Sequence, residues 1–232
     1  MDKLIIFDCD GVLVDSEIVA NRIWAEALVS IGYPITTEES IRRFVGMNEK
    51  AVRQMILDET GKDIPLEYLN GLEKFVVEAF EKELDPLMGS VLEILDKHKV
   101  MRCVASNGQR NQVIRSLELT GQFKFFNDKS IFTSQQVSKG KPAPDLFLFA
   151  AKEMNYSVEN CIVIEDSPIG IQAAISAGMN VIGFLGATHA RHSWYEEKVA
   201  IYAIPIAHSK IDLLTILKSY LGREFVSDQV LP

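Results

Sequence analysis

Asp8 and Asp10 stand two residues apart, directly after the apolar run Leu4-Ile5-Ile6-Phe7. In an extended chain that spacing puts both carboxylates on the same side. Two carboxylates that close repel, and a bound cation or a shared proton keeps such a pair near neutral pH. A hard cation such as Mg2+ takes oxygen ligands and favours substrates that bring phosphate oxygens, so the pair points to phosphoryl transfer. In that chemistry an aspartate can act as a covalent nucleophile through an aspartyl-phosphate. A carboxylate two residues away is then placed to protonate the leaving oxygen and later to deprotonate water. Downstream, Asp166 offers a further metal ligand, Ser106 and the turn amides of Asn107-Gly108 offer donors for phosphate oxygens, and Lys141 offers a compact positive charge.

Taken singly, each of these residues has an ordinary structural explanation. An Asp-x-Asp pair is commonly a turn or a helix cap, Ser106-Asn107-Gly108 a turn, Lys141 a solvated side chain, and Glu165-Asp166-Ser167-Pro168 an acidic helix start. Their joint order favours a site, because most of them close separate apolar runs and ligands in an open α/β sheet bind outside the carboxyl ends of the strands.

Those runs define the elements that must position the chemistry. Leu4–Phe7, Val100–Ala105, Cys161–Ile164 and Val181–Leu185 read as strands buried on both faces of a parallel sheet, each ending where the sequence turns polar or reaches glycine. Between them lie helical patterns at Ser90–His98, with Ser90 as N-cap, Gln112–Leu119, Pro144–Met154 and Pro168–Ala177. The expectation is an α/β fold, a Rossmann-like parallel sheet with helices on both faces.

Residues 15–87 break the alternation and contain no convincing strand. Ser16–Ile31 carries an apolar stripe and ends at Gly32, Thr36 with Glu39 forms a capping-box pattern, Asn48–Thr60 is closed by Gly61, and Pro65–Leu84 stops at Asp85-Pro86. We therefore expect an inserted α-helical cap domain at 15–87 and a catalytic core made of 1–14 and 88–232, with linkers at Val14–Asp15 and Asp85–Met88 framing a hinge.

The 232 residues hold 24 Lys+Arg against 32 Asp+Glu, a net charge of −8, which is the wrong sign for binding nucleic acid or an anionic membrane surface. Hydrophobic residues at 47% and charged residues at 24% exclude a disordered or disulfide-scaffold chain. The acids Asp2, Asp8 and Asp10 interrupt the first apolar segment, which argues against a secretory signal, and no run reaches the length of a membrane span. Cys9, Cys103 and Cys161 each lie in an apolar stretch that reads as a strand, consistent with buried thiols in a reducing cytoplasm. The expected partner is a small phosphorylated metabolite. His189 and His192 are three apart, but without further ligands nearby that region reads as a surface helix.

Four ordered segments carry a family resemblance: Phe7-Asp8-Cys9-Asp10-Gly11-Val12-Leu13-Val14-Asp15-Ser16; Ser106-Asn107; Gly140-Lys141-Pro142-Ala143-Pro144-Asp145; and Ile164-Glu165-Asp166-Ser167-Pro168-Ile169-Gly170. Together they resemble the motifs of the haloacid dehalogenase-like hydrolase superfamily, and the helical insertion resembles the cap of its phosphoglycolate phosphatase and β-phosphoglucomutase-like branch. The resemblance implies Asp8 as nucleophile and metal ligand, Asp10 as general acid/base and a ligand through its carbonyl, and Asp166 as the third protein ligand to Mg2+. It further implies Glu165 as a supporting carboxylate, Ser106 and the Asn107 amide as phosphoryl binders, and Lys141 as the charge between nucleophile and phosphate.

Within the family, dehalogenases lack the second acid that Asp10 supplies. The mutases carry a cap histidine where this chain has Ala20, and an arginine where it has Met47-Asn48-Glu49. The implied activity is thus a phosphomonoester phosphatase for a small phosphosugar or sugar-acid phosphate, with a β-phosphoglucomutase-like mutase as the alternative and a catalytically silent phosphate- or metal-binding module as a reading of another class. In the cap, Asn48 is the candidate substrate contact, alongside Asn21, Arg22, Arg42, Arg43 and Lys50.

Overall fold

The computed structural model describes residues 3–45, 47, 49–222 and 225, with only the backbone described at residues 49, 66, 67, 69, 70 and 73. It divides into two compact units, one made of Met1–Asp15 with Asp85–Pro232 and the other of Ser16–Leu84.

The first unit is built on a six-stranded parallel sheet. Its strands are β1 (Leu4–Phe7), β2 (Met101–Ser106), β3 (Ile131–Thr133), β4 (Cys161–Glu165), β5 (Asn180–Phe184) and β6 (Ile206–Ala207), in the spatial order β3-β2-β1-β4-β5-β6. Every residue of β1 and β4 is buried, which is why both read as unbroken apolar runs instead of alternating ones. The central strand β1 pairs on one side with β2 and on the other with β4, and Phe7 stands in register with both Val104 and Ile164. The carboxyl ends of these three strands therefore fall within two residues of one another, and the residues there share one edge of the sheet. The Rossmann-like expectation is met.

β3 and β6 carried no readable signal, since three and two residues give neither a period nor a distinctive run. The helix boundaries moved by a few residues. The helix after the second chain crossing covers Gly89–Lys97, and Met88 stands at its N-cap without a side-chain bond, so Ser90 is not its cap.

The second unit is all helical: α1 (Ser16–Ser30), α2 (Thr37–Phe44), α3 (Glu49–Thr60) and α4 (Leu66–Glu83). Its core gathers Ala25, Leu28, Ile35, Phe44, Val52, Ile56, Ile64 and Leu72. The Thr36–Glu39 capping box forms as its spacing predicts, with the Thr36 amide donating to Glu39 Oε2 at 2.8 Å and the Glu39 amide donating to Thr36 Oγ1 at 3.2 Å. The two chain crossings run side by side in the first unit, where the Asp15 amide donates to the Asp85 carbonyl and the Leu87 amide to the Leu13 carbonyl.

All three cysteines are free and buried, and burial pushes their thiols up, that of Cys161 to about 11. Cys9 lies just past β1 in the turn, not in a strand. No helix among the described residues is long and apolar enough to cross a membrane.

Candidate active site

The site forms where β1, β2 and β4 end. Asp8 leaves β1 with its amide still donating to Ile164 O at 3.0 Å, so the sheet holds the backbone of the proposed nucleophile directly. Beyond it the chain turns: the Leu13 amide donates to Cys9 O and the Gly11 amide to Val14 O. Gly11 has φ +79°, a left-handed conformation that suits glycine, and a Cβ there would overlap the Asp166 carboxylate.

Lys141 is the hub. Its Nζ donates to Asp8 Oδ1 at 2.5 Å and to Glu165 Oε1 at 2.8 Å, with only 2% of the side chain exposed. The other carboxylate oxygen of Glu165 accepts from the Ser167 amide at 2.7 Å and the Ser167 hydroxyl at 2.9 Å, and Ser167 Oγ in turn caps the helix Pro168–Ser176. Glu165 is thus committed on both oxygens to holding Lys141 and the start of the helix after β4.

Asp8, Glu165 and Asp166 are all buried, and one carboxylate oxygen from each lies within 4.8 Å of the others. Three buried carboxylates face a single ammonium. Burial pushes the Asp8 and Asp166 carboxyls well above the usual carboxylate range, and their acidic neighbours push the same way against the pull of Lys141. Asp8 and Glu165 outweigh burial at Lys141 and keep it an ammonium, with its pKa above the ordinary lysine value. An all-oxygen donor set with surplus negative charge fits a hard divalent cation such as Mg2+.

On the β2 side, Ser106 is buried and its Oγ accepts from the Gly108 amide at 3.0 Å. A Cβ on Gly108 would lie 3.2 Å from Ser106 Oγ and 3.7 Å from Asp10 Oδ2, so the hydroxyl and the second aspartate border the same small space. The side chain of Asn107 has a structural task of its own. It donates to Lys141 O at 3.0 Å and accepts from the Lys141 amide at 2.9 Å, so it grips the lysine's backbone.

The haloacid dehalogenase-like hydrolase profile matches residues 5–184. The chain belongs to the haloacid dehalogenase-like hydrolase family. It is 32% identical to the 6-phosphogluconate phosphatase of Escherichia coli over 93% of this chain and 91% of that one. It is 28% identical to a phosphorylated carbohydrates phosphatase of Thermotoga maritima over 94% of this chain and all of that one. Among solved structures, a haloacid dehalogenase-like protein of Agrobacterium tumefaciens aligns with a TM-score of 0.86 at 31% identity, covering 96% of this chain and 100% of that one. A family hydrolase of Deinococcus radiodurans with bound phosphate and sodium aligns at 0.82 with 26% identity, covering 98% and 99%. The expectation of a haloacid dehalogenase-like phosphatase agrees with the family and with these named phosphatases.

In this haloacid dehalogenase-like hydrolase, Asp8, Lys141, Glu165 and Asp166 come together, and Asp10 borders Ser106 and Gly108. Asn48 lies outside the described residues. Asn21, Arg22 and Arg43 are engaged in the helical unit's own structure. Asn21 is buried, accepting from Ser40 Oγ and donating to Glu17, while Arg22 pairs with Glu26 and Glu83, and Arg43 with Glu59 and Tyr33.

The expectation for His189 is corrected. It is fully buried, in a short 3-10 turn spanning Thr188–Arg191, and its Nε2 stands 2.8 Å from Asp166 Oδ2. The signal that points to it is positional: β5 also ends at the edge where ligands bind, so the polar residues soon after Gly186 belong among the candidates.

Proposed function

We propose that this enzyme is a Mg2+-dependent phosphomonoester hydrolase of the cytoplasm that acts through an aspartyl-phosphate on a small phosphosugar or sugar-acid phosphate. The observation that carries the reading is the placement of Lys141 Nζ between Asp8 Oδ1 and Glu165 Oε1, with Asp166 in the same buried cluster.

Asp8 attacks phosphorus, and a P–O bond to its carboxylate forms as the bond to the ester oxygen breaks. Asp10 gives a proton to that oxygen as it leaves. Water, losing a proton to Asp10, then attacks the aspartyl-phosphate, releases inorganic phosphate and restores Asp8. Ser106 and the Asn107 amide hold phosphoryl oxygens, and Lys141 offsets charge where Asp8 meets the phosphoryl group. Mg2+, bound by Asp8, Asp166 and the Asp10 carbonyl, would offset the charge that develops on the phosphoryl oxygens.

The substrate class is supported by relatives named for 6-phosphogluconate and for phosphorylated carbohydrates. Release of phosphate from an aryl phosphate, with and without Mg2+, tests the chemistry. The expected result is Mg2+-dependent turnover that Asp8→Asn abolishes, and turnover surviving that change would remove Asp8 as nucleophile. A panel of phosphosugars and phosphorylated sugar acids tests the substrate. Isomerised sugar phosphate as the main product, in place of free phosphate, would favour a mutase.

A further inference from the structure

The loop after β2 is braced from the side by the turn that follows β3. Ser106 stands in register with Thr133 where these strands pair, so the 3-10 turn Ser134–Gln136 begins beside Asn107. Two hydrogen bonds join turn and loop: Ser134 Oγ donates to Asn107 O at 2.9 Å, and Gln135 Oε1 accepts from the Arg110 amide at 3.1 Å. The turn itself is fixed by the Thr133 amide, which donates to Gln136 Oε1 at 2.8 Å. A Cβ on Gly140 would stand 2.6 Å from Asn107 Oδ1 and 3.0 Å from Ser134 Cβ, so that glycine leaves the room in which turn and loop meet.

The Asn107–Gly108 peptide is thus gripped at both ends. Its carbonyl accepts from the Ser134 hydroxyl, and its amide donates to Ser106 Oγ at 3.0 Å. Ser106 is 2% exposed, and among the described residues its hydroxyl is paired only as an acceptor. A hydroxyl has one proton to give, and the lone pair taken by the Gly108 amide turns that proton away from the loop. In such a chain each link polarises the next, so the Ser134 hydroxyl strengthens the Gly108 N–H as a donor and, through it, the Ser106 O–H.

We propose that Ser134 is a positioning residue for Ser106: it holds the Asn107–Gly108 peptide so that the Gly108 amide occupies one lone pair of Ser106 Oγ and leaves the Ser106 proton for a phosphoryl oxygen. The proposal rests on the phosphatase reading above, since it takes Ser106 as a phosphoryl donor. Ser134 lies outside the four segments that carry the family resemblance.

The test uses the full chain and compares Ser134→Ala, Ser106→Ala and the double variant by aryl-phosphate hydrolysis at saturating Mg2+, inhibition by orthovanadate, and melting temperature. The expected result is a kcat about 2–10-fold lower in Ser134→Ala, with KM and melting temperature close to those of the parent and orthovanadate inhibition weakened by a similar factor, the span of one ordinary hydrogen bond. In the Ser106→Ala background the same change should have little further effect, because no hydroxyl is left to aim. Unchanged kcat and orthovanadate inhibition in Ser134→Ala overturn the proposal. A loss of equal size in the Ser106→Ala background also overturns it, since the turn would then act on the loop as a whole, and so does parent-level turnover in Ser106→Ala. If Ser106→Ala does not fold, Ser134→Ala decides alone: a raised KM with unchanged kcat, or a loss that tracks a lower melting temperature, counts against the role. A parent chain that releases no phosphate would instead overturn the phosphatase reading, so the two failures are distinct.

Discussion

The side chain of Asn107 closes on the main chain of Lys141 from both directions, its Nδ2 donating to the carbonyl at 3.0 Å and its Oδ1 accepting from the amide at 2.9 Å. The residue after the β2 serine therefore sets where the lysine begins, and Lys141 reaches Asp8 and Glu165 from that fixed base. A misplacement of about 1 Å in such a site can cost about 100-fold in rate. We expect Asn107→Ala to lower kcat by about 10–100-fold while the fold survives, read by phosphate release and circular dichroism. Activity equal to the parent would mean that the loop holds Lys141 without this clasp.

Lys141→Met separates charge from shape. The methionine fills much of the same volume beside Phe147, whose ring centroid lies 4.9 Å from Nζ, but it leaves Asp8 and Glu165 buried without their ammonium. Removing one partner of a buried ion pair costs about 3–5 kcal/mol. Chemical denaturation of the ion-free protein checks this, and added Mg2+ should return part of the loss. A variant as stable as the parent would show that the carboxylates are already neutral when lysine is present.

Gly170→Ala tests the close approach behind Glu165. Alanine improves helix propensity by about 1 kcal/mol, yet a Cβ at this position would overlap the Glu165 carboxylate, which Lys141 and Ser167 hold in place. We expect a net loss of about 2 kcal/mol and a fall in activity, because the carboxylate must leave its partners. A double-mutant cycle with Glu165→Ala gives the check: truncating Glu165 first should abolish most of the cost of Gly170→Ala. Simple additivity would place the cost elsewhere.

The sign of the pH dependence follows from the raised carboxyls. Asp8 and Asp166 titrate well above the ordinary Asp value of 3.8, mainly through burial, so above that pH the folded state binds more protons than the unfolded chain. The stability of the ion-free protein therefore falls as pH rises from about 4 toward neutral. Metal binding needs the ionised forms, so the melting-temperature gain from Mg2+ over EDTA should widen between about pH 5 and pH 8. A gain that narrows over that range would contradict it.

Legibility in the sequence tracks distance from a strand end. Asp8, Ser106 and Asp166 were readable because each adjoins a buried apolar run, and a strand must stop where it meets polar surroundings. Lys141 was readable from its motif and charge but not from any strand, and that Asp8 and Glu165 share it required the sheet. Asn107 was readable as a turn residue, while its hold on Lys141, 34 positions away, was not. His189 looked like a surface residue because local pattern carries no information about what a returning loop is packed against.

By itself the sequence determined the alternation of strand and helix, the helical insertion after β1, and the set of acidic, hydroxyl and ammonium groups available for phosphoryl chemistry, because burial periodicity and side-chain chemistry are local properties of the chain. Only the tertiary structure decided which carboxylate holds Lys141, which oxygen of Asp166 meets His189, and that Gly11 leaves space for that meeting. Those outcomes depend on strand register and on the path of loops distant in sequence, where contacts form between residues that no local pattern links.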